Sequence, residues 1–330
     1  MKSIIVVLVA SVTSCASAAA RPVTAPPPET IAPGVTLLRG DMLPMRGPDG
    51  NTVVFEAPEG LVVIDTGRHA WHSDAILALA AARGKPVATI VNTHWHLDHS
   101  SGNGRIKAAH PGARLYATAA VDRALADGGF LARNLVAQRP RLEDPDVSAA
   151  EKDEIEIFVQ TMAERESLRP DVVVGKGGLR RLAGRKLDLR VTDRAVTEAD
   201  IWIYDRRTGV AVVGDLVTLP APFFETACPD QWRAALDEVW AVPFRSAIPG
   251  HGEPMSRVQF DTYRGAFNAF MDCVTSDAAP QQCAAGWQAG VASLLGDERM
   301  RRMALGYAEY YVDMLRANGG RSSECRPGPG

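Results

Sequence analysis

The sequence has no apolar run long enough to cross a bilayer. Its longest, Ile4 to Val12, is about nine residues, against the ~20 that a spanning helix needs. It has no excess of basic charge either: 36 Lys and Arg stand against 39 Asp and Glu, for a formal net charge of −3. That excludes the strongly basic footprint of a nucleic-acid binder. The 29 Gly and 22 Pro in 330 residues lie far below collagen or low-complexity levels. Histidine is scarce, at seven, and no lysine follows Lys186. With 46% hydrophobic residues, the length suits one large layered α/β domain with appendages, or two domains.

The first residues differ from the rest. Lys2, the short apolar run and the small residues Ser14 to Ala20 read as an export signal spanning 1–18, cut before Ala19. Val12-Thr13-Ser14-Cys15 offers an alternative, a lipoprotein box that would leave a lipid anchor at Cys15. Both readings place the protein outside the cytoplasm, secreted or periplasmic. Four cysteines then remain, an even number that suggests disulfides in an oxidising compartment. Of the three pairings, the short separation favours Cys273–Cys283 and leaves Cys228 with Cys325; buried free thiols are the alternative.

Prolines 22, 26, 27, 28 and 33 mark residues 19–33 as a linker, so folding is expected from Gly34. Apolar, β-rich runs follow at Val35–Arg39, Thr52–Glu56, Leu61–Ile64 and Val87–Val91, with a helix-like Trp71–Arg83 among them. The stretch 121–168 is charged and helix-prone, an inserted helical segment in which Glu151 to Glu154 reads as a solvated face. Strands resume at Leu187–Val191, Ile201–Tyr204 and Val210–Val213, and helices at Trp232–Val239, Arg257–Met271 and Glu298–Ala317. The cations Arg180, Arg181, Arg185, Lys186 and Arg190 suggest an exposed hairpin. Strands and helices alternating in two blocks argue for mixed sheets covered by helices: a body over 34–256, then a C-terminal helical extension over 257–330.

After the strand Val87–Val91 comes Asn92-Thr93-His94-Trp95-His96-Leu97-Asp98-His99. Three imidazoles and a carboxylate within six residues are hard to explain as packing, because each would need its own buried partner. Metal binding is the economical reading. In an extended loop His94 and His96 point the same way and can reach one ion, while Asp98 and His99 lie past a turn and can reach a second. Such donors suit Zn²⁺, with iron or manganese as alternatives. Gly214-Asp215 and Gly250-His251 each put one more donor at the end of an apolar run.

Taken in order, Asp65-Thr66-Gly67, the H-x-H-x-D-H loop at 94–99, Gly214-Asp215 and Gly250-His251 resemble the metallo-β-lactamase superfamily over about residues 35 to 255. The resemblance implies a four-layer αβ/βα sandwich with a metal site along one edge. It makes His94 and His96 ligands of the first metal, Asp98, His99 and His251 ligands of the second, and Asp215 the bridge. Asp65 would brace the histidine loop. One position departs from the pattern: Val196 stands where the first metal's third ligand, a histidine, is expected. His69, His72 and Glu198 are the candidate substitutes, whereas His110 reads as a helix-end cap. One or two ions are expected, the second site the better filled.

The implied function is an exported hydrolase in which metal-activated hydroxide attacks an activated carbonyl (lactam, lactone, ester or thioester) of a small molecule, with Asp98 orienting water or moving its proton. Phe223 and Phe224, close after Asp215, are candidates for the pocket wall. The rival is a non-catalytic periplasmic protein that keeps the scaffold for metal or ligand binding.

Overall fold

Successive residues along the central strands feed two different apolar layers, which is the period-2 pattern of sheets buried on both faces. In β2 (Val35–Leu38), β3 (Thr52–Ala57) and β4 (Gly60–Ile64), Val35, Leu37, Val53, Phe55, Val62 and Ile64 point inward. There they meet Ile201 and Ile203 of β10 (Ala199–Asp205) and Val210 and Val212 of β11 (Val210–Thr218). The intervening Val54, Leu61 and Val63 point outward to helices, as do Trp202, Tyr204, Ala211 and Val213 on the other sheet.

The computed structural model describes residues 25–43 and 46–325, so the expected export signal and Cys15 lie outside the described residues. One sheet has seven strands in chain order: β1 (Glu29–Ala32), β2, β3, β4, β5 (Val87–Val91), β6 (Arg114–Ala117) and β7 (Val172–Val173). It is antiparallel through β4 and parallel beyond. The other runs β12 (Ser246–His251), β11, β10, β9 (Arg185–Asp193), β8 (Gly178–Leu182), with only β11 and β12 parallel. Outside the first sheet lie α1 (Ala70–Arg83) and, beyond the four-residue α2 (Leu97–Ser100), α3 (Asn103–Ala109). Against the second pack α7 (Pro229–Ala241), α8 (Arg257–Val274), α9 (Pro280–Gly290) and α10 (Glu298–Ala317). The four-layer αβ/βα order is as the sequence implied, and the C-terminal helices form part of its outer layer.

The expected insert is helical: α4 (Ala120–Leu125), α5 (Phe130–Gln138) and α6 (Ala149–Ala163), the last started by a Ser148–Glu151 capping box. Leu125, Leu131, Phe158, Met162 and Leu168 enclose Trp95 and Leu97 of the histidine loop, so the insert backs that loop. Glu154 is not solvated: it binds Arg68 and His69.

Several expectations need correction. The proline-rich stretch ends in a paired strand, β1, so folding starts before Gly34. The strand carrying Gly214-Asp215 runs on to Thr218 with register breaks rather than ending there. Helix α9 was not expected. Arg185 is buried, not exposed; it pairs with Asp205, lies over the Phe55 ring and donates to the Gly34 and Glu56 carbonyls, tying the two sheets together. Both favoured disulfides, Cys228–Cys325 and Cys273–Cys283, are present. Among the described residues no helix is long and apolar enough to cross a membrane.

Candidate metal centre

Four segments converge where parallel strands end. The turn after β4 brings Asp65, the loop after β5 brings residues 94–99, β11 brings Asp215 and β12 ends on His251. Within the loop, alternation sorts the side chains: Trp95 and Leu97 enter the insert's core, and His94 and His96 face the other way. His96 then starts α2, whose single turn presents Asp98 and His99. His94, His96 and Asp215 each bring one potential ligand atom within 4.8 Å of the others, and Asp98, His99 and His251 do the same. Asp215 lies between the groups, Oδ2 at 3.8 Å from His94 Nε2 and Oδ1 at 3.1 Å from His99 Nε2 and 3.7 Å from His251 Nε2.

Hydrogen bonds behind the rings set which nitrogen keeps its lone pair. The Thr93 hydroxyl donates to Asp65 Oδ2 at 2.7 Å, so it accepts from His94 Nδ1–H at 2.9 Å and leaves Nε2 free. His99 Nδ1 donates to Asp65 Oδ2 at 2.9 Å, and the Thr93 amide donates to Asp65 Oδ1 at 2.7 Å. Asp65 thus accepts from His99 and from both donors of Thr93, and it is held with φ at 60°, a conformation that costs a non-glycine residue ~1–3 kcal/mol.

The electrostatics separate the two groups. Burial, with His99 and His96 alongside, holds His94 well below the ordinary 6.5; burial also lowers His96 to about 4 against the pull of Asp98 and Asp215. Both stay neutral, the state in which an imidazole can bind a cation. Burial opposes ionisation of Asp98 and Asp215, yet the facing imidazoles outweigh it and hold both well below the usual carboxylate range. Burial likewise opposes charge on His99 and His251, and the carboxylates around them win, raising both. Two buried atoms in the first group, His94 Nε2 and Asp215 Oδ1, have no hydrogen-bond partner among the described residues; His99 Nε2, though 3.1 Å from the latter, is out of line for a bond. In the first group, neutral imidazoles, an ionised carboxylate and orphaned buried lone pairs fit a divalent cation; in the second, a cation would take the place of the protons that the carboxylates favour on His99 and His251.

The three candidate substitutes for the missing histidine are engaged elsewhere. His69 uses both ring nitrogens, on Asp49 Oδ2 at 2.6 Å and Glu154 Oε1 at 2.9 Å. His72 faces the Thr52 hydroxyl at 2.7 Å, and Glu198 accepts the Trp95 indole N–H at 3.0 Å. The Val196 side chain packs in the helix-side core. Phe223 stands against the site, its ring centroid 5.1 Å from that of His96, but Phe224 is fully buried among Trp232, Phe267 and Phe270 and is no pocket wall. His110 closes α3 as expected.

Other residues at the site gave no sequence signal. The segment 49–51 lies under it: Gly50 N–H donates to the Asp98 carbonyl, and Asn51 ties to the Gly250, Pro249 and Gly252 carbonyls. A Cβ on Gly50 would stand 2.3 Å from the His99 ring, and one on Gly250 1.8 Å from Asp215 Oδ1. Only hydrogen fits at either position. Thr226, eleven residues beyond Asp215 in the chain, contacts His96 Nε2.

Solved structures share the fold. A metallo-beta-lactamase from Pontibacter korlensis matches with TM-score 0.53 and 16% identity, over 73% of this chain and 98% of that one. One from Hirschia baltica matches with TM-score 0.51 and 16% identity, over 72% and 95%. Among curated proteins, a linear primary-alkylsulfatase from Pseudomonas sp. is 25% identical over 222 residues, 62% of this chain. The chain spans only 41% of that relative's length. The sequence model of the metallo-beta-lactamase superfamily matches residues 45–251, and with the fold and the order of the site segments in agreement, the chain belongs to that superfamily.

Proposed function

We propose that this protein is an exported, metal-dependent hydrolase that cleaves an activated ester-like bond in a small molecule. The observation that carries the reading is the pair of facing donor groups, His94/His96/Asp215 and Asp98/His99/His251, with Asp215 in reach of both. Zinc is the expected ion, with iron or manganese as alternatives of similar donor preference. A cation held there supplies Lewis acidity, lowering the pKa of water and stabilising negative charge that develops on the substrate. Asp98 is the proposed catalytic residue: its side chain, 16% exposed, is more open than those of His94, His99, Asp215 and His251, so water and substrate approach from its side. As an ionised acceptor hydrogen-bonded to His251 Nε2 at 2.9 Å, it orients water and takes up its proton. Phe223 offers an apolar wall beside His96. Two disulfides suit an oxidising compartment.

Activated carbonyls of lactams, lactones, esters or thioesters are the first substrate class. The likeness to an alkylsulfatase supports a second reading, hydrolysis of a sulfate ester, in which the same groups serve a different leaving bond. Chromogenic lactam, lactone, ester and sulfate-ester substrates, tested on metal-stripped and zinc-restored protein, decide. Metal-dependent turnover that Asp215→Ala abolishes is expected; metal-dependent melting without turnover would leave a binding protein instead. Counting shared Asp215, the second group has four donors and the first three, so metal analysis should find the second ion retained and the first readily lost. Two ions held equally tightly would contradict the donor count.

A further inference from the structure

We propose that Thr226 is a positioning residue for His96, holding its imidazole in one tautomer through a hydroxyl that is itself anchored on the Val196 carbonyl. The inference rests on His96 being a metal ligand, as proposed above. The Thr226 hydroxyl lies 2.9 Å from the Val196 carbonyl and 2.9 Å from His96 Nε2. A carbonyl only accepts, so the single hydroxyl proton goes to Val196 and the hydroxyl oxygen must accept from His96 Nε2–H. That fixes the tautomer, and Nδ1 is left as the one lone pair His96 can give a cation. His94 is arranged the opposite way, with Nδ1–H on Thr93 and Nε2 free. The two neighbouring ligands thus present different nitrogens, each selected by a threonine.

The rest of the fold holds Thr226 in place. Cys228 N–H donates to the Ala195 carbonyl, the Ser322 hydroxyl donates to the Glu225 carbonyl, and the Cys228–Cys325 disulfide ties the segment to the C-terminal tail. Val196 is fixed from the other side, its N–H donating to buried Asp200 Oδ2 at 2.8 Å. Thr226, Val196 and His96 are all buried, so water has no ready access to substitute for the hydroxyl. Removing it leaves the ring free to change tautomer or rotate.

The test uses full-length mature protein with Thr226→Val, isosteric but unable to accept, and Thr226→Ser, which restores the hydroxyl. Histidine ¹⁵N NMR on metal-free protein should show His96 as the Nε2–H tautomer in wild type and Thr226→Ser and as a mixture in Thr226→Val. Zinc affinity at the His94 group, measured by chelator competition, should fall ~10–100-fold in Thr226→Val and recover in Thr226→Ser. His96 as Nδ1–H in wild type overturns the proposal even if Thr226→Val does not fold. Unchanged tautomer and affinity in a folded Thr226→Val overturn it as well. If wild type binds no zinc at this group yet His96 loses its Nε2–H state in Thr226→Val, the metal assignment fails and the positioning role stands.

Discussion

Gly250→Ala tests whether Asp215 is held where the site needs it. The new Cβ would lie 1.8 Å from Asp215 Oδ1, and real Cβ contacts essentially never fall below 3.0 Å, so one of the two must yield by more than an ångström. Asp215 is buried, between His94 on one side and His99 and His251 on the other; Gly250 itself accepts the Asn51 N–H. Neither can move freely, and overpacking of this kind costs ~1–3 kcal/mol. Deleting the carboxylate with Asp215→Ala removes the closest contact and leaves 2.9 Å to the Gly214 carbonyl carbon, a much milder conflict. Urea denaturation of metal-free wild type, both single variants and the double variant completes a cycle. Gly250→Ala should be clearly destabilising in wild type and cost far less beside Asp215→Ala. It should also lose tight metal binding. Additive costs in the cycle would show that the clash lies elsewhere and refute the placement of Asp215.

The His69–Asp49–Glu154 cluster should make stability fall at alkaline pH. Burial works against charge on His69, but bonds to Asp49 and Glu154 outweigh it and raise its pKa from 6.5 to about 9, which corresponds to ~3 kcal/mol. A raised histidine pKa stabilises fully below 6.5 and fades as pH climbs through 9. Burial likewise opposes the ionised forms of Asp49 and Glu154, and the His69 contacts lower both, so their contributions are present above the usual carboxylate range and vanish in acid. Urea denaturation at pH 6 and pH 9.5 should therefore show a smaller alkaline loss in Glu154→Gln than in wild type; identical losses would count against the cluster. The disulfides should differ too. Cys228–Cys325 spans 97 residues and Cys273–Cys283 spans 10, so chain entropy makes the first worth ~2 kcal/mol more, measurable by comparing paired Cys→Ser variants in denaturant.

The histidine loop was legible because its donors crowd six residues, where packing cannot satisfy them, and because Asp215 and His251 follow glycines after apolar runs. Mixed sheets covered by helices were legible because strands buried on both faces announce themselves as apolar runs, whereas the four-layer order was implied only by the resemblance to the superfamily. What the sequence hid depends on partners far along the chain. Glu154 reads as one more charge in Glu151-Lys152-Asp153-Glu154 until Arg68 and His69 are seen opposite it. Phe223 and Phe224 read alike, yet one faces His96 and the other the aromatic core. Strand β1 follows three consecutive prolines, and an edge strand needs only a few ladder bonds to form. Helix α9 begins at Pro280 and contains Gly286, so local propensity speaks weakly for it, and packing of Cys283, Ala284 and Trp287 into the core decides.

Val196 shows the same limit from the other direction. His69, His72 and Glu198 carry the side chains that could stand in for a histidine there, and each is engaged elsewhere. In the fold the Val196 backbone carbonyl accepts a hydrogen bond from the Thr226 hydroxyl, whose oxygen in turn accepts from His96 Nε2–H. Backbone carbonyls carry no residue identity, so no reading of side-chain types could have found this arrangement.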